Sequence, residues 1–559
     1  MHPVLARVYA QRAVQGPDEV AYGLEGLFAP HALKGMEDAV ELLAGVAAAG
    51  ERILVVGDFD ADGATSTALA LRALRAMGCR ADYLVPNRFR YGYGLTPEIV
   101  AEAARREPAL IVTVDNGISS LAGVEAAVAR GIAVLVTDHH LPGAALPAAD
   151  AIVNPNQPGD DFPSKHLAGV GVIFYVMTAL RARLRETGWF AARGLEVPNL
   201  AALLDLVALG TVADVVPLDR NNRILVAQGL ARIRRGLCCP GILALLEVAG
   251  RDHRQVGSSE LGFVLGPRLN AAGRLEDMSL GIECLLSDDP AAARVLALRL
   301  DELNRRRRHI EAEMQAEALA ELEACSLHDD DDALPAGLCL YRSHWHQGVI
   351  GILAARIKDR LHRPVIAFAP GGAGELKGSA RSIPGLHIRD VLDEVAARHP
   401  GLIGKFGGHA MAAGLSLREA DYDDFCAAFR ATVAARLDEA DLQGILHSDG
   451  ELTAAELNLD TAQALRGGGP WGQAFPEPLF DGVFHVRQRR VVGERHLKLR
   501  LAHPDGGAPL DAIAFNALDT HAVASLESER LHLAYRLDVD EYQGSRRVQM
   551  IVEHMAADT

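Results

Sequence analysis

Arg52-Ile-Leu-Val-Val-Gly-Asp-Phe-Asp-Ala-Asp-Gly63 is the stretch that decides the fold. Its apolar run, Ile53 to Val56, has the composition of a buried strand. Three aspartates then stand at alternate positions, Asp58, Asp60 and Asp62, and Gly63 opens a helical pattern from Ala64 to Met77. Three carboxylates at the end of a buried strand repel one another unless a cation lies among them. Asp-x-Asp-x-Asp-Gly also begins a calcium-binding EF-hand loop, but that loop needs an acid at its twelfth position and a helix before it. Here the twelfth position is Leu69 and a strand precedes. A plain solvated loop is the other reading, and the motifs that follow weigh against it.

Outward from this stretch, apolar strands alternate with helical patterns. Strands are expected at 53–56, 83–85, 110–114, 134–136 and 152–153, and helices at 64–77, 97–106, 121–130 and 171–185. The first 50 residues are Ala-rich and helical, and 39–49 should pack on a sheet. Continuous Val/Ile/Leu strands between helices indicate a parallel sheet covered on both faces, with ligands beyond the carboxyl ends of its strands. The polar residues are in that place. Strand 110–114 runs into Asp115-Asn-Gly-Ile, and strand 134–136 into Thr137-Asp138-His139-His140. One acid at a strand end is an ordinary cap or turn residue. Three such ends with an adjacent histidine pair indicate a metal site. Carboxylates and imidazoles without thiolates suit Mn2+ or Mg2+ better than structural zinc. The number of acids suits two ions, roughly 3.5–4 Å apart, as in in-line displacement at phosphorus.

Further on, Asp214 interrupts the hydrophobic run Val212 to Leu218 after an apolar helix. A buried lone carboxylate is costly unless paired or metal-bound, so Asp214 is taken as a further carboxylate of the site, against a helix cap. Gly57-Asp-Phe-Asp-Ala-Asp-Gly63, Val114-Asp-Asn-Gly117, Asp138-His-His140 and Thr211-Val-Ala-Asp214 resemble the four motifs of the DHH phosphoesterase superfamily, and within it those of the RecJ family of bacterial single-strand-specific exonucleases. The resemblance implies a two-metal site with Asp58, Asp60, Asp62, Asp115, His139 and Asp214 as ligands. His140 would be a ligand or an acid facing the leaving group, and Asp138 would orient the histidines.

Two basic stretches belong with this domain. Pro86-Asn-Arg88-Phe-Arg90-Tyr-Gly-Tyr-Gly-Leu mixes arginines, aromatics and glycines, the composition of a phosphate-and-base contact loop. By the resemblance, Arg88 lies near the 5′ end of the strand. Gly266-Pro-Arg268-Leu-Asn270-Ala-Ala-Gly-Arg274-Leu sets two arginines and an amide among small residues, which allow close backbone approach. The same string occurs in RecJ-like sequences, and it assigns Arg268, Asn270 and Arg274 to a DNA groove.

From Asp289 to Cys325 apolar residues recur at helical spacing, with Arg305 to Arg308 as a basic patch; an unbroken helix of this length reaches roughly 50 Å. Strands at 337–341 and 365–369 open a second α/β segment with three motifs. His346-Gln-Gly-Val-Ile-Gly-Ile leads into a helix, 350–361. Lys377-Gly-Ser379-Ala-Arg381-Ser reads as a small-residue loop. Gly404 to Gly414, with Gly407, Gly408 and His409, reads as a glycine-rich turn opening a helix, where N–H groups face an anion. In this order they resemble the substrate-binding domain that follows the DHH domain across the superfamily. Ser379 and Arg381 would then hold a terminal phosphate, and Gly407, Gly408 and His409 the scissile or a neighbouring phosphate. Residues 446–559 show short alternating runs at 483–486, 497–501, 531–537 and 548–552, the pattern of a small β-barrel. Arg487, Arg489, Arg490, Arg495, Lys498 and Arg500 make a local cationic stripe suited to a single strand in an OB-type groove.

A length of 559 residues allows three or four domains. The net charge of −17 argues against broad attraction to nucleic acid, so any polyanion-binding surface must be local. The acidic runs Asp329–Asp332 and Asp421–Asp424 read as solvated loops. Seven scattered cysteines without a Cys-x-x-Cys pair point to a reducing cytoplasm. No apolar run approaches the roughly 18 residues a membrane span needs, and the opening residues lack a signal-peptide pattern.

The expectation is therefore an α/β protein in four parts: a parallel-sheet DHH domain (1–288), a connector helix with an acidic loop (289–330), a smaller α/β substrate-binding domain (331–440) and an OB-like β-barrel (446–559). The resemblance implies a monomeric exonuclease that degrades single-stranded DNA from the 5′ end to 5′-mononucleotides in DNA repair and recombination, beside single-strand-binding protein and a helicase. The alternatives are a phosphodiesterase of short oligonucleotides or cyclic dinucleotides, against which the basic tail argues, and a non-catalytic DNA-binding relative, which should have gaps in the four motifs.

Overall fold

The computed structural model describes residues 1–87, 94–326, 334–520, 523–542 and 545–558. The chain divides into two compact units, residues 1–303 with 448–559, and residues 304–447.

In the first unit, β1 (Arg52–Val56), β2 (Arg80–Leu84), β3 (Leu110–Val114), β4 (Ala133–Thr137) and β5 (Ala151–Val153) form one sheet in the order β2-β1-β3-β4-β5. Every neighbouring pair is parallel. Alternation along each strand feeds two cores. Ile53, Val55, Val112 and Leu135 face one, and Leu54, Val56, Ile111, Val134 and Val136 the other. The helices Met36–Ala48, Ala61–Ala76 and Gly169–Glu186 cover the first face, and Pro97–Ala104 and Leu121–Val128 the second. This two-sided burial leaves the carboxyl ends of β1, β3 and β4 as the place where polar residues gather.

The helix Pro290–Ser326 begins in this unit and continues into the second. Of its four successive arginines, Arg307 is buried and bonded to Glu311 and Asn304, and the other three are exposed. The acidic run Asp329–Asp332 lies outside the described residues.

In the second unit, β6 (Leu338–Tyr341), β7 (Val365–Gly372), β8 (Glu375–Arg381), β9 (Lys405–Gly408) and β10 (Ala412–Arg418) form a sheet ordered β6-β7-β8-β10-β9. Two local expectations are corrected here. Lys377–Arg381 is not a loop but part of strand β8, where Leu376, Gly378 and Ala380 are buried and the residues between them half-buried. Gly378 is small because Leu415 and Phe368 each pack 2.6 Å from where its Cβ would be. Gly404–Gly414 opens no helix. It is the β9–β10 hairpin, with Gly407 beside Gly414 and Gly408 beside Ala413. Gly408 has φ +149, and its Cβ would meet the Ala412 carbonyl at 2.4 Å. Gly378 and Gly408 serve close strand packing, which composition alone does not distinguish from a turn.

The final segment returns to the first unit as a closed barrel. Its strands are β11 (Phe480–Val492), β12 (His496–Ala502), β13 (Leu510–Ala514), β14 (Arg530–Tyr542) and β15 (Ser545–Ala557), in the order β11-β12-β13-β15-β14. Leu497, Leu499 and Leu501 point into its core, so Lys498 and Arg500 point outward. Arg490 is directly opposite Lys498. Like charges in that position destabilise a sheet unless an anion lies across them.

Residues 39–47 pack on the parallel sheet as expected. The helix Pro3–Gln11 packs elsewhere: Val4 and Val8 belong to the barrel's core, with Leu452, Leu457 and Leu465. The Tyr9 hydroxyl donates to the Gly468 carbonyl at 2.6 Å. Arg12 makes a two-pronged ion pair with Asp449 at 2.6 and 3.0 Å, both side chains under 10% exposed. Cutting Arg12 to alanine strands a buried carboxylate, which costs about 3–5 kcal/mol. Thermal unfolding of Arg12→Ala should begin several degrees lower; an unchanged melting curve would show the pair to be dispensable.

Candidate metal centre

Each predicted ligand is delivered by a turn that the sheet fixes. The Asp60 side chain accepts from the Gly63 N–H at 2.9 Å and so caps the helix Ala61–Ala76. Asp58 Oδ1 accepts from the Phe59 N–H at 2.7 Å. Asp62, 1% exposed, accepts from the Gly169 and Val170 N–H groups at 2.6 and 3.0 Å, at the start of the helix Gly169–Glu186. Asp115 follows β3 with φ +61, a left-handed conformation that aspartate tolerates better than most residues. Asp214 caps the carboxyl end of the helix Leu204–Ala213.

The side chains converge. Three sets each bring ligand atoms within 4.8 Å of one another: Asp58, Asp60 and Asp115; Asp62, His139 and Asp214; and Asp115, His139 and His140. His139 Nε2 lies 3.1 Å from Asp115, 3.5 Å from Asp214 and 3.9 Å from Asp62. Asp115 belongs to a set on each side. The arrangement therefore offers three overlapping hard-to-borderline donor sets, two sharing Asp115 and two sharing His139, which fits two Mn2+ or Mg2+ ions.

The electrostatics agree. Burial, then the Asp60 charge, pushes the Asp62 carboxyl up to about 7, although two helix N–H groups pull it down. Asp115 is held well above the usual range by burial and then by Asp62, Asp60, Asp58 and Asp214. Asp214 is raised by burial and then by Asp62 and Asp60. Without a cation these groups hold protons near neutrality, and a cation must displace them. Their folded-state pKa values lie above the unfolded ones. The metal-free fold therefore has this contribution below about pH 4 and loses it as pH rises through about 7. The apparent Mn2+ affinity should climb steeply between roughly pH 6 and 8 with release of protons, as calorimetry in buffers of different ionisation enthalpy would measure. A flat profile would contradict the crowding.

Asp138 is 1% exposed and faces the histidines. Its Oδ1 accepts from the His139 and His140 N–H groups and lies 2.7 Å from His140 Nδ1; its Oδ2 accepts from Ile118 N–H at 2.9 Å. Burial alone would raise its pKa, but the His140 hydrogen bond and the two histidine charges hold it below the usual carboxylate value. Burial pulls His140 down, and the Asp138 bond and charge outweigh it, pushing the imidazole up to about 9.

Several residues of this centre carry no signal that the motif reading used. Asn116 Nδ2 donates to the Val56 and Val114 carbonyls and ties the ends of β1 and β3 together. Asn154 and Asn156 donate to the His140 and His139 carbonyls at 2.9 and 2.6 Å. A Cβ on Gly169 would be 2.6 Å from Asp115 Cβ, and one on Gly210 2.8 Å from Asp62 Oδ1. Asn154 and Asn156 cluster just beyond β5, and polar residues at that strand end were the available signal for them.

The helix Gly266–Leu275 also works on this centre. Asn270 Oδ1 accepts from the Ala61 N–H at 2.7 Å. Arg268 is buried, bonded to Asp301 at 2.9–3.0 Å and to the Val264 carbonyl. Arg274 is half-buried in its last turn. Arg88 lies outside the described residues.

In the second unit, β8 places the Ser379 and Arg381 side chains together, 3.2 Å apart, against the start of the helix Ile350–Leu361. A Cβ on Gly351 there would lie 2.9 Å from Ser379 Oγ and 3.0 Å from Arg381 Nη2. Gly407, Gly414 and Ser379 stand side by side across β9, β10 and β8. A Cβ on Gly407 or Gly414 would meet open space, so a ligand can approach their backbone. His409 follows in the turn, its N–H on the Ala412 carbonyl.

A parallel sheet whose strand ends carry these four motifs, joined to the smaller sheet and the barrel, defines a DHH-type phosphoesterase. Residues 52–211 match the DHH family N-terminal domain, 335–435 the DHHA1 domain, and 448–554 the RecJ OB domain. The chain is 61% identical over 553 residues to the single-stranded-DNA-specific exonuclease RecJ of Dickeya dadantii, covering 99% of this chain and 96% of that protein. It is 57% identical to the Escherichia coli protein of the same name, again over 99% and 96%. Among solved structures, RecJ from Thermus thermophilus in complex with Mn2+ matches all of this chain and 76% of its own, at 30% identity and TM-score 0.80. An exonuclease RecJ bound to manganese matches 73% of this chain and 96% of its own, at 35% identity and TM-score 0.60. The chain belongs to the RecJ family.

Proposed function

We propose that the chain hydrolyses single-stranded DNA from its 5′ end to 5′-mononucleotides, with two Mn2+ or Mg2+ ions held by Asp58, Asp60, Asp62, Asp115, His139 and Asp214. The observation that carries this reading is the position of Asp115 in two of the three donor sets, because a carboxylate common to adjoining sets could serve two ions. Bound there, the ions supply an activated water and positive charge for the reacting phosphate. The chain's own residues do the rest. Asp138 engages His140 Nδ1 and fixes the imidazole, which would serve as a ligand or as an acid facing the leaving 3′-oxygen. Asn270 fixes the turn that aims Asp60 and Asp62. Ser379 and Arg381 hold a terminal phosphate, and Gly407, Gly408 and His409 the next one; Arg88, Arg268 and Arg274 serve the strand by resemblance. The outward Arg490 and Lys498 supply the like-charged pair that a phosphate backbone relieves, while Arg500 is opposite Asp511.

The four-part division at 1–288, 289–330, 331–440 and 446–559 belongs to this reading, as do a monomeric enzyme, a cytoplasmic location, a role in repair and recombination, and single-strand-binding protein and a helicase as partners. No helix among the described residues is long and apolar enough to cross a membrane. Digestion of 5′- and 3′-labelled single and double strands with Mn2+ or Mg2+ tests the proposal. Mononucleotides should leave the 5′ end of the single strand alone. Faster turnover of a dinucleotide than of a long strand would instead make the enzyme a scavenger of short oligonucleotides.

A further inference from the structure

β4 and β5 lie side by side with Thr137 opposite Val153, so the residues that leave them run together. The Asp138 N–H donates to the Val153 carbonyl at 3.2 Å and closes this pairing. The next peptide groups belong to the histidine pair. Asp138 Oδ1 accepts from the His139 and His140 N–H groups at 2.8 and 3.1 Å. From the other side, Asn156 Nδ2 donates to the His139 carbonyl at 2.6 Å, and Asn154 Nδ2 to the His140 carbonyl at 2.9 Å. The peptide group between the two histidines is therefore gripped at both ends, by Asp138 on its N–H and by Asn156 on its carbonyl. Asn154, fully buried, braces the second grip: its Oδ1 accepts from the Asn156 N–H at 2.7 Å.

A buried carbonyl needs a donor, and any donor would satisfy it. Here both carbonyls are those of the histidines, both donors come from one stretch of three residues, and one amide supports the other. That is more than satisfaction of polar atoms requires. His139 Nε2, 3.1 Å from Asp115 and 3.5 Å from Asp214, is carried on a side chain that starts at the gripped peptide group. A ligand atom must be held within about 0.5 Å and 10–20° of its productive place, and groups behind the ligands provide that precision.

We propose that Asn154 and Asn156 are positioning residues that aim the histidine pair at the metal centre, Asn156 directly and Asn154 both directly and through Asn156. This rests on the reading of His139 as a metal ligand.

The test titrates Mn2+ into the metal-free, full-length protein by calorimetry, without substrate. It compares the parent with Asn156→Ala, Asn156→Leu, Asn154→Ala and the double variant Asn154→Ala/Asn156→Ala. Asn156→Leu keeps the bulk of the amide and lacks its donor. Both Asn156 variants should bind Mn2+ about tenfold or more weakly, while their metal-free melting temperatures stay near that of the parent. Asn154→Ala should lose at least as much, and the double variant no more than Asn154→Ala alone, because the two amides act along one path. Parent-level affinity in Asn156→Ala overturns the proposal, as does recovery in Asn156→Leu, since the amide would then only fill space. A metal-free melting temperature several degrees lower in both Asn156 variants also overturns it, by assigning the amide to the fold. The two Asn156 variants decide the matter even if Asn154→Ala fails to fold. A parent that binds no Mn2+ overturns the metal reading and this proposal with it, whereas normal binding in the parent and in every variant overturns this proposal alone.

Discussion

Asp115→Ala gives a protein that binds single strands and Arg-directed phosphates as before but no longer cuts, with the rate down on the order of 10³-fold or more. The reason is position. Asp115 is the carboxylate that two of the three donor sets use, so its removal weakens both of those at once. Asp60→Ala should behave alike, since Asp60 is in one set and caps the loop that presents the others. A second signature separates this from simple damage. Asp115 is buried among four other carboxylates that raise its pKa. Deleting it relieves repulsion, so the metal-free variant should melt at or above the parent temperature. The rise in melting temperature that Mn2+ gives the parent should shrink or vanish. Nuclease activity near the parent level in purified Asp115→Ala would remove the basis of the metal centre.

Gly273→Ala is expected to cost roughly 10²-fold in turnover without touching a ligand. Its Cβ would lie 1.8 Å from the Phe59 carbonyl oxygen, inside the turn that carries Asp58, Asp60 and Asp62. Something must move, and Asn270, one turn earlier on the same helix, is bonded to Ala61 in that turn. The helix and the turn therefore shift together, and displacements near 1 Å at a reacting centre cost about this much. Overpacking of this kind also destabilises by about 1–3 kcal/mol. Turnover should fall more than strand affinity. A variant that lost affinity and kept turnover would place Gly273 in the strand's path rather than behind the metal turn.

These two cases show why the sequence was readable in some places and not others. Acids at the ends of strands buried on both faces have few structural uses, so Asp58, Asp60, Asp62 and Asp115 could be grouped with the histidine pair before any geometry was known; Asp214, at the end of a helix, entered as a carboxylate interrupting an apolar run, and the full ligand set came from the family resemblance. The parallel sheet and the barrel were legible for a related reason, since continuous and alternating apolar runs have distinct burial requirements. Glycine-rich stretches were not. Lys377–Arg381 looked like a loop and Gly404–Gly414 like a turn opening a helix because glycine signals conformational freedom, whereas both are strand, and Gly378 and Gly408 permit the strands to pack closely. Asn270 had the composition of a phosphate contact, and its carbonyl oxygen is spent on Ala61. Asn116, Asn154 and Asn156 hold turns through backbone carbonyls, and an amide's partner depends on tertiary distance that no local pattern encodes.

The helix Pro3–Gln11 sits in the hydrophobic interior of the C-terminal barrel, and Arg12 finds Asp449 across 437 positions of chain. On the ribosome, that segment is made 437 positions ahead of such a partner and must wait for it. Until it arrives, Val4, Val8 and Tyr9 face water on an incomplete chain, a sticky segment for chaperones or for other nascent copies. Pausing before residues 449–465 are made would accordingly be far more hazardous than the independence of the catalytic sheet suggests.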